Sequence, residues 1–469
     1  MLSMSALNLS EKMLGGDSFS LREKTGIVAR LSMPGILAQI SDIIMQYIDA
    51  AMVGVLGASA SASIGLVSSS TWLMGGMLGA AASGFSVQVA HAAGAGNREK
   101  ASSIFRQSLA ATLIFSFAIM AIGLLIAPHL PVWLGAEESL WKDASAYLGC
   151  FCLFIPCRQL SRLATNMLQC SGDMKTPSIL MTVMCFLDVV FNFFLIFPSR
   201  TVSFAGMEMW MPGAGLGVLG AQLGTSLSVL VTMIVLLYCA SVRSEIIRLR
   251  NSEGSWLVKK EVLKRACSIG IPMALENSAL SMAQIVSTRI IAPLGTAAIA
   301  AHSFAITAES ICYMPGYGIS SAATTLVGQA IGAKRKDLAR SFGWLSVFAG
   351  MAVMTLTGAA MYIFCPYVFE FLTPVKEVQI LGARVLRYEL LAEPLFAASI
   401  VATGALRGAG DTLVPGIMNL VSMWGIRLTL AWFLSRSIGL DGVWIAMAIE
   451  LSCRGIIFLI RLKREKWLK

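Results

Sequence analysis

Long apolar runs, repeated down the whole chain, constrain this sequence more than any other feature. Stretches of about 20 or more mainly apolar residues give twelve candidate helices. They lie at 31–55, 64–90, 102–127, 143–169, 177–198, 214–241, 268–292, 298–331, 341–366, 383–405, 414–435 and 440–461. In a bilayer each backbone N–H and C=O must be satisfied within the protein, so such runs become helices, and interior Gly, Pro and Ser are tolerated. Composition agrees, at 56% hydrophobic and 13% charged, about half the charged share of a soluble domain. A soluble chain of 469 residues would split into several domains, each needing a charged skin that 36 basic and 26 acidic residues cannot supply. A cytosolic enzyme, a disordered chain and a nucleic-acid reader are excluded. The expected fold class is an all-α polytopic membrane protein.

The net charge of +10 reports topology. Lys12, Arg22, Lys24, Arg30, Arg98, Lys100, Lys175, the basic stretch Arg243–Arg265, Lys334–Arg340, Arg407 and the tail from Arg461 all fall on one side of the spans. The other side offers Lys142, Arg200, Lys376, Arg384, Arg387 and Arg436. By the positive-inside rule both termini are cytoplasmic and the chain is a multi-pass protein of the plasma (inner) membrane. Residues 1–26 and 463–469 read as cytoplasmic tails.

The chain also repeats itself. Pro34 and Pro272 are 238 residues apart, as are Leu56-Gly57 and Leu294-Gly295, Gly94-Ala95 and Gly332-Ala333, and Gly172-Asp173 and Gly410-Asp411. Later, Gly217-Val218-Leu219-Gly220 matches Gly439-Leu440-Asp441-Gly442 at 222, so the loop between spans five and six is 16 residues longer in the first half. The repeat unit is six helices. Six is even, so the halves share one orientation and are related by a pseudo-two-fold axis along the membrane normal. This divides the chain into a first lobe at 27–242, a basic cytoplasmic linker at 243–265 and a second lobe at 266–462. A cleft between two such lobes is the architecture of an alternating-access carrier.

Charges inside spans mark function, because a central Asp costs roughly 2.5–3.5 kcal/mol. Span one holds Asp42 and Asp49, seven apart and so on one face, and span five holds Asp188 with Asn192 one turn on. The second half holds Glu276, Arg289, Glu309, Glu393, Arg427 and Glu450; for those near span ends, snorkelling or helix–helix pairing is the alternative. In the repeat Asp49 corresponds to Ser287 and Asp188 to Ile426. The expectation is therefore an acidic site in the first lobe that the second lacks. Carboxylate, amide and hydroxyl oxygens suit either Na⁺ or a proton.

With these residues in view, the chain resembles the multidrug and toxic compound extrusion family, closest to its DNA-damage-inducible and related prokaryotic branches. The resemblance rests on Asp49–Gly57, Gly172–Pro177, Gly328–Ala333 and Leu406–Thr412, in order across the twelve spans. It implies a V-shaped, two-lobed efflux carrier. It also implies a first-lobe cation site at Asp49, Asp188, Asn192 and Thr225, the helix-five Asn-then-Asp of those branches appearing here reversed. A second branch uses a helix-seven glutamate and a helix-ten aspartate. Glu276 lies four residues after Pro272 instead of about eight, and Phe396 occupies the helix-ten position. That site looks incomplete, leaving Asp42, Glu276, Glu393, Arg289 and Arg427 as secondary candidates.

The expected activity is antiport of H⁺ or Na⁺ against amphiphilic, cationic drugs or toxic organic compounds, with no cofactor and no enzymatic step. Met45, Tyr47, Met184 and Phe191 are expected on the cleft, with Pro34 as a hinge in span one; packing and a first-turn proline are the plainer alternatives. Membrane lipids are the surroundings and a monomer is the expected state. The alternative class is a lipid-linked saccharide flippase of the same superfamily, which needs several cations facing the first-lobe cleft, where the sequence places acids. Ten dispersed cysteines and three isolated histidines offer no metal set or nucleophile–base pair. No P-loop appears, so ATP is not the expected driver.

Overall fold

The computed structural model describes residues 11–15, 18–204, 207–249 and 255–468. The expected tail at 1–10 and 16–17, the linker segment 250–254 and Lys469 lie outside the described residues. In chain order the helices are α1 (Leu21–Gly54), α2 (Ala58–Gly94), α3 (Arg98–Ile126), α4 (Glu138–Leu153, resuming as Ile155–Cys170) and α5 (Lys175–Ile196). Strands β1 (Pro198–Phe204) and β2 (Met207–Ala214) follow, then α6 (Gly217–Tyr238), α7 (Lys260–Ile291), α8 (Thr296–Gly332) and α9 (Lys336–Leu372). The chain ends with α10 (Lys376–Leu390 and Glu393–Gly408, bent by 58°), α11 (Leu413–Leu420 continuing to Ile438 through a wide turn at Val421–Arg427) and α12 (Leu440–Lys463).

Eight of these helices are long and apolar enough to cross a bilayer on their own, and bent α10 makes nine. The other three, α4, α7 and α8, carry Arg158 and Arg162, Glu276 and Arg289, and His302 and Glu309. Apolarity is demanded only where a helix faces lipid. α8 is walled by α1, α2, α9 and α10, so its polar groups meet protein.

Local chemistry sets the ends. α1 starts about ten residues before its apolar run, because Ser20 caps it: Ser20 Oγ accepts from Glu23 N (3.2 Å) and Glu23 Oε2 accepts from Ser20 N (2.9 Å). Asn97 caps α3 through Lys100 N. Gly57 and Gly295, one repeat apart, enter α2 and α8 at φ +108° and +102°, which side chains disfavour. The longer loop of the first half is the antiparallel hairpin β1–β2, the one departure from an all-helical chain among the described residues. The described part of the amino-terminal tail is not free. Met13 and Phe19 pack into a second-lobe cluster with Phe342 and Trp467, and Arg335 reaches the Met13 carbonyl.

The lobes meet along two pseudo-equivalent seams, α1 against α8 and α2 against α7. Gly35 abuts Gly318 on one, and Gly84 the Ala266 carbonyl on the other. At the end bearing both termini, apolar clusters cross between lobes: Val28 joins second-lobe residues, and Ala266 joins first-lobe residues. At the opposite end the clusters around Val53, Ile196 and Val218 and around Ala298, Leu440 and Trp444 each stay within one lobe. The molecule is therefore pinned at its basic end and parted at the other.

Candidate functional site

α1, α5 and α6 bring the expected first-lobe residues together. Asp188 and Asn192, one helical turn apart, both point into the lobe and are fully buried. Asn192 Nδ2 donates to Asp49 Oδ1 at 2.8 Å and to Asp188 Oδ2 at 3.1 Å. One amide thus bridges two helices and holds the two carboxylates side by side. From α6, Ser228 Oγ lies 3.5 Å from Asp188 Oδ1, Thr225 also reaches Asp188, and the Thr225 hydroxyl donates to the Ala221 carbonyl. Asn192 Oδ1 is buried without a partner. Gly224 faces that oxygen so closely that a side chain there would strike it.

The arrangement is an oxygen nest with a strong bias toward cations. It offers two carboxylates, an unsatisfied amide oxygen and two hydroxyl oxygens, all hard ligands. Adjacent carboxylates repel where the dielectric is low, and a cation or proton relieves that repulsion. Asp49 is half-buried while Asp188 is sealed, so Asp49 is the more accessible of the two.

The other first-lobe residues lie apart. Asp42, two turns from Asp49, accepts from Gln46 (2.9 Å) and is acted on by Arg162 of α4. Pro34 sits in an unbroken α1, and its carbonyl accepts from Ser178 of α5. The Tyr47 hydroxyl donates to the Thr307 carbonyl (2.9 Å), so this residue closes the α1–α8 seam. Met45 and Met184 are a correction to the expected cleft lining: they are buried together against Val229 within the lobe. Phe191 is half-buried on α5. The inter-lobe space is instead a cavity of about 160 Å³ lined by polar residues of both halves, including Gln39, Ser83, Asn166, Tyr317, Ser321 and Arg407.

Two arginines of α4 went unnoticed in the sequence. Arg158 lies over the Phe151 ring (4.6 Å) with its Nε buried and unpartnered, close enough to act on Asp188. Arg162 is exposed beside Gly79. Both sit in a span whose flanks are apolar, and their i, i+4 spacing was the available signal.

The second lobe has a buried acidic cluster of its own, against the expectation that only the first lobe holds an acidic site. Glu309 of α8, Glu389 and Glu393 on either side of the α10 bend, and Glu450 of α12 are all buried, with Arg427 and Arg454 among them. Glu450 pairs with Arg454 at 3.2 Å and accepts from Ser422 at 2.6 Å. Both carboxyl oxygens of Glu389 and of Glu393 are buried without partners. Phe396, where the second branch has its acid, packs near Arg454 instead, and Glu393 supplies a carboxyl one turn earlier. Glu276 is held elsewhere, by Arg407 (3.1 and 3.2 Å) and Asn419 (2.6 Å). Arg289 is exposed on α7 and Arg427 contacts Met447 Sδ. Removing one member of a buried pair leaves an uncompensated charge. Glu450→Ala is expected to destabilise the protein by about 3–5 kcal/mol, read as a lowered unfolding temperature in detergent.

Comparison with known proteins agrees with the repeat. The family model described as MatE matches twice, over residues 34–194 and 272–433. The probable multidrug resistance protein NorM of Thermotoga maritima is 28% identical over 449 residues, covering 94% of this chain and 92% of its own. NorM of Streptococcus pneumoniae is 26% identical with 94% and 95% covered, and the uncharacterized transporter YisQ of Bacillus subtilis 25% with 83% of each. Among solved structures, a MATE in complex with MaD3S superposes with a TM-score of 0.86 at 20% identity, covering 97% of both chains. An outward-facing multidrug resistance MATE family transporter of the MOP superfamily gives 0.86 at 20%, covering 99% of this chain and 100% of that one. At these identities the structural matches speak for the fold.

Proposed function

Because the chain belongs to the MatE family of multidrug-efflux transporters, we propose that it is a cation-coupled antiporter that exports amphiphilic organic compounds by alternating access. One observation carries the coupling: the contact of Asp49 with Asp188 through Asn192, with the buried Asn192 Oδ1 unsatisfied. The basic end is cytoplasmic by the positive-inside rule, so the parted end faces outward. In this state a cation reaches Asp49 from outside. It neutralises the carboxylate pair and joins α1 more tightly to α5 and α6. That rearrangement of α1, which also forms the inter-lobe seam, releases substrate outward and prepares the return. Substrate then displaces the cation from the cytoplasmic side.

The flippase alternative gains less. Arg158 and Arg162 bring two cations to the first lobe, but Arg158 acts on Asp188 and Arg162 on Asp42. Neither arginine is left unopposed for a pyrophosphate. Dye efflux from vesicles carrying an imposed Na⁺ gradient at clamped pH, repeated with an imposed pH gradient at zero Na⁺, identifies the ion. Efflux indifferent to both gradients would overturn the antiport reading.

A further inference from the structure

The cytoplasmic closure obeys the repeat down to single atoms. α2 and α8 cross at the basic end, where Gly94 abuts the Gln329 carbonyl and Gly332 abuts the His91 carbonyl. Positions 94 and 332, and 91 and 329, are each one repeat of 238 apart. The side chains continue the pattern. His91 Nε2 bonds to the Gly408 carbonyl at 2.8 Å, and Gln329 Nε2 donates to the Cys170 carbonyl at 3.1 Å. Gly408 and Cys170 are again one repeat apart. They end α10 and α4, where a carbonyl has no partner in its own helix. Each lobe therefore extends one side chain to satisfy the last turn of a helix in the other. These bonds exist only while the basic ends are together.

The two arms differ in one respect. His91 Nδ1 lies 2.6 Å from Arg265 Nη2 of α7, while the repeat counterpart of Arg265 is Ile27. A guanidinium only donates, so Nδ1 accepts and the ring proton sits on Nε2, aimed at Gly408. A second proton would occupy Nδ1 and turn the α2–α7 hydrogen bond into a repulsion across the seam. The charged groups acting on His91 are Arg265 of α7 and Lys100 of α3, both cations; α8 and α10 present Gly328, Gly332, Gly408 and Gly410.

We propose that His91 and Gln329 form a two-armed inner latch that holds the carrier closed to the cytoplasm, and that the His91 arm releases when the cytoplasmic face is acidified. The latch rests on the alternating-access reading but not on the cation site, because its test uses neither substrate nor gradient. Gln in place of His91 can donate to Gly408, as Gln329 donates to Cys170 in the other arm, and can also accept from Arg265, all without titrating.

Cys170 is buried at the latch and Cys267 is exposed. Alkylation of Cys170 by a membrane-impermeant maleimide is followed by mass spectrometry in everted vesicles, with Cys267 as the internal standard. At pH 7.5, wild type and His91→Gln are expected to react alike. At pH 6.0 wild type is expected to react about fourfold faster than His91→Gln, because the freed imidazole of the open form binds a proton near its ordinary value of about 6.5 while the latched ring resists one; comparing variants at one pH cancels the thiol's own titration. His91→Ala and Gln329→Ala are expected to expose Cys170 at both pH values. A wild-type to His91→Gln ratio of one at both pH values would overturn the pH-sensitive arm. Cys170 protected in both Ala variants but exposed in Gly332→Leu would overturn the latch while leaving alternating access intact. Protection in all of them would overturn alternating access itself.

Discussion

Asp49→Asn is expected to reduce gradient-driven efflux about 5- to 150-fold while leaving folding and expression intact. The substituted amide keeps an oxygen for Asn192 Nδ2 to donate to, so the α1–α5 tether at 2.8 Å survives. What disappears is the charge that attracts a cation and repels Asp188. Ligand coupling is typically worth about 1–3 kcal/mol, or roughly 5- to 150-fold, and driven export should fall by a factor in that range. Export assayed in everted vesicles, beside the thermal stability of the purified variant, separates coupling from folding. Export unchanged by the substitution would remove Asp49 from the cycle.

The second large effect is expected at Gly332→Leu. Any Cβ at Gly332 meets the His91 carbonyl, and one at Gly94 meets that of Gln329. The backbones of α2 and α8 touch here, so no side chain can move aside to make room. Overpacking costs about 1–3 kcal/mol, all of it charged to the closed form and none to the open one. The closed form should lose about five- to 150-fold in population, and efflux should fall accordingly. Gly94→Leu should do the same, because the two contacts are repeat images. A substitution at exposed Gly425, which has open space around it, should leave transport near wild type when set beside them.

Much of this molecule was legible in its sequence, and the reasons are physical. Spans announce themselves by apolarity, and a repeat at one offset needs no structure to be seen. The reversed Asp188/Asn192 order survived as a site because either order puts both side chains on one face of α5, toward Asp49. In the second lobe Glu309, Glu393 and Glu450 were legible as charges inside spans, but their grouping was not, because the sequence offers only the first-lobe positions and the helix-seven and helix-ten pattern as guides. Glu389 and Glu393 belong to neither. They converge on Glu309 because α10 bends between them, and no periodicity reports a bend. For Glu450 snorkelling or helix–helix pairing was the open alternative to a functional role, and the structure shows α12 packing its Glu450 face against α10 and α11, which leaves Glu450 fully enclosed. The Gly332–His91 contact is invisible in sequence for another reason: it depends on how closely two helices cross.

The central claim is exchange, and exchange is reciprocal. Purified protein in proteoliposomes, given a substrate gradient and no imposed ion gradient, should drive H⁺ or Na⁺ the opposite way, followed with a pH dye and ²²Na⁺ in parallel. The account predicts counter-movement of one of these cations that requires substrate and is lost in Asp49→Asn. Substrate crossing the membrane with neither cation moving would contradict it.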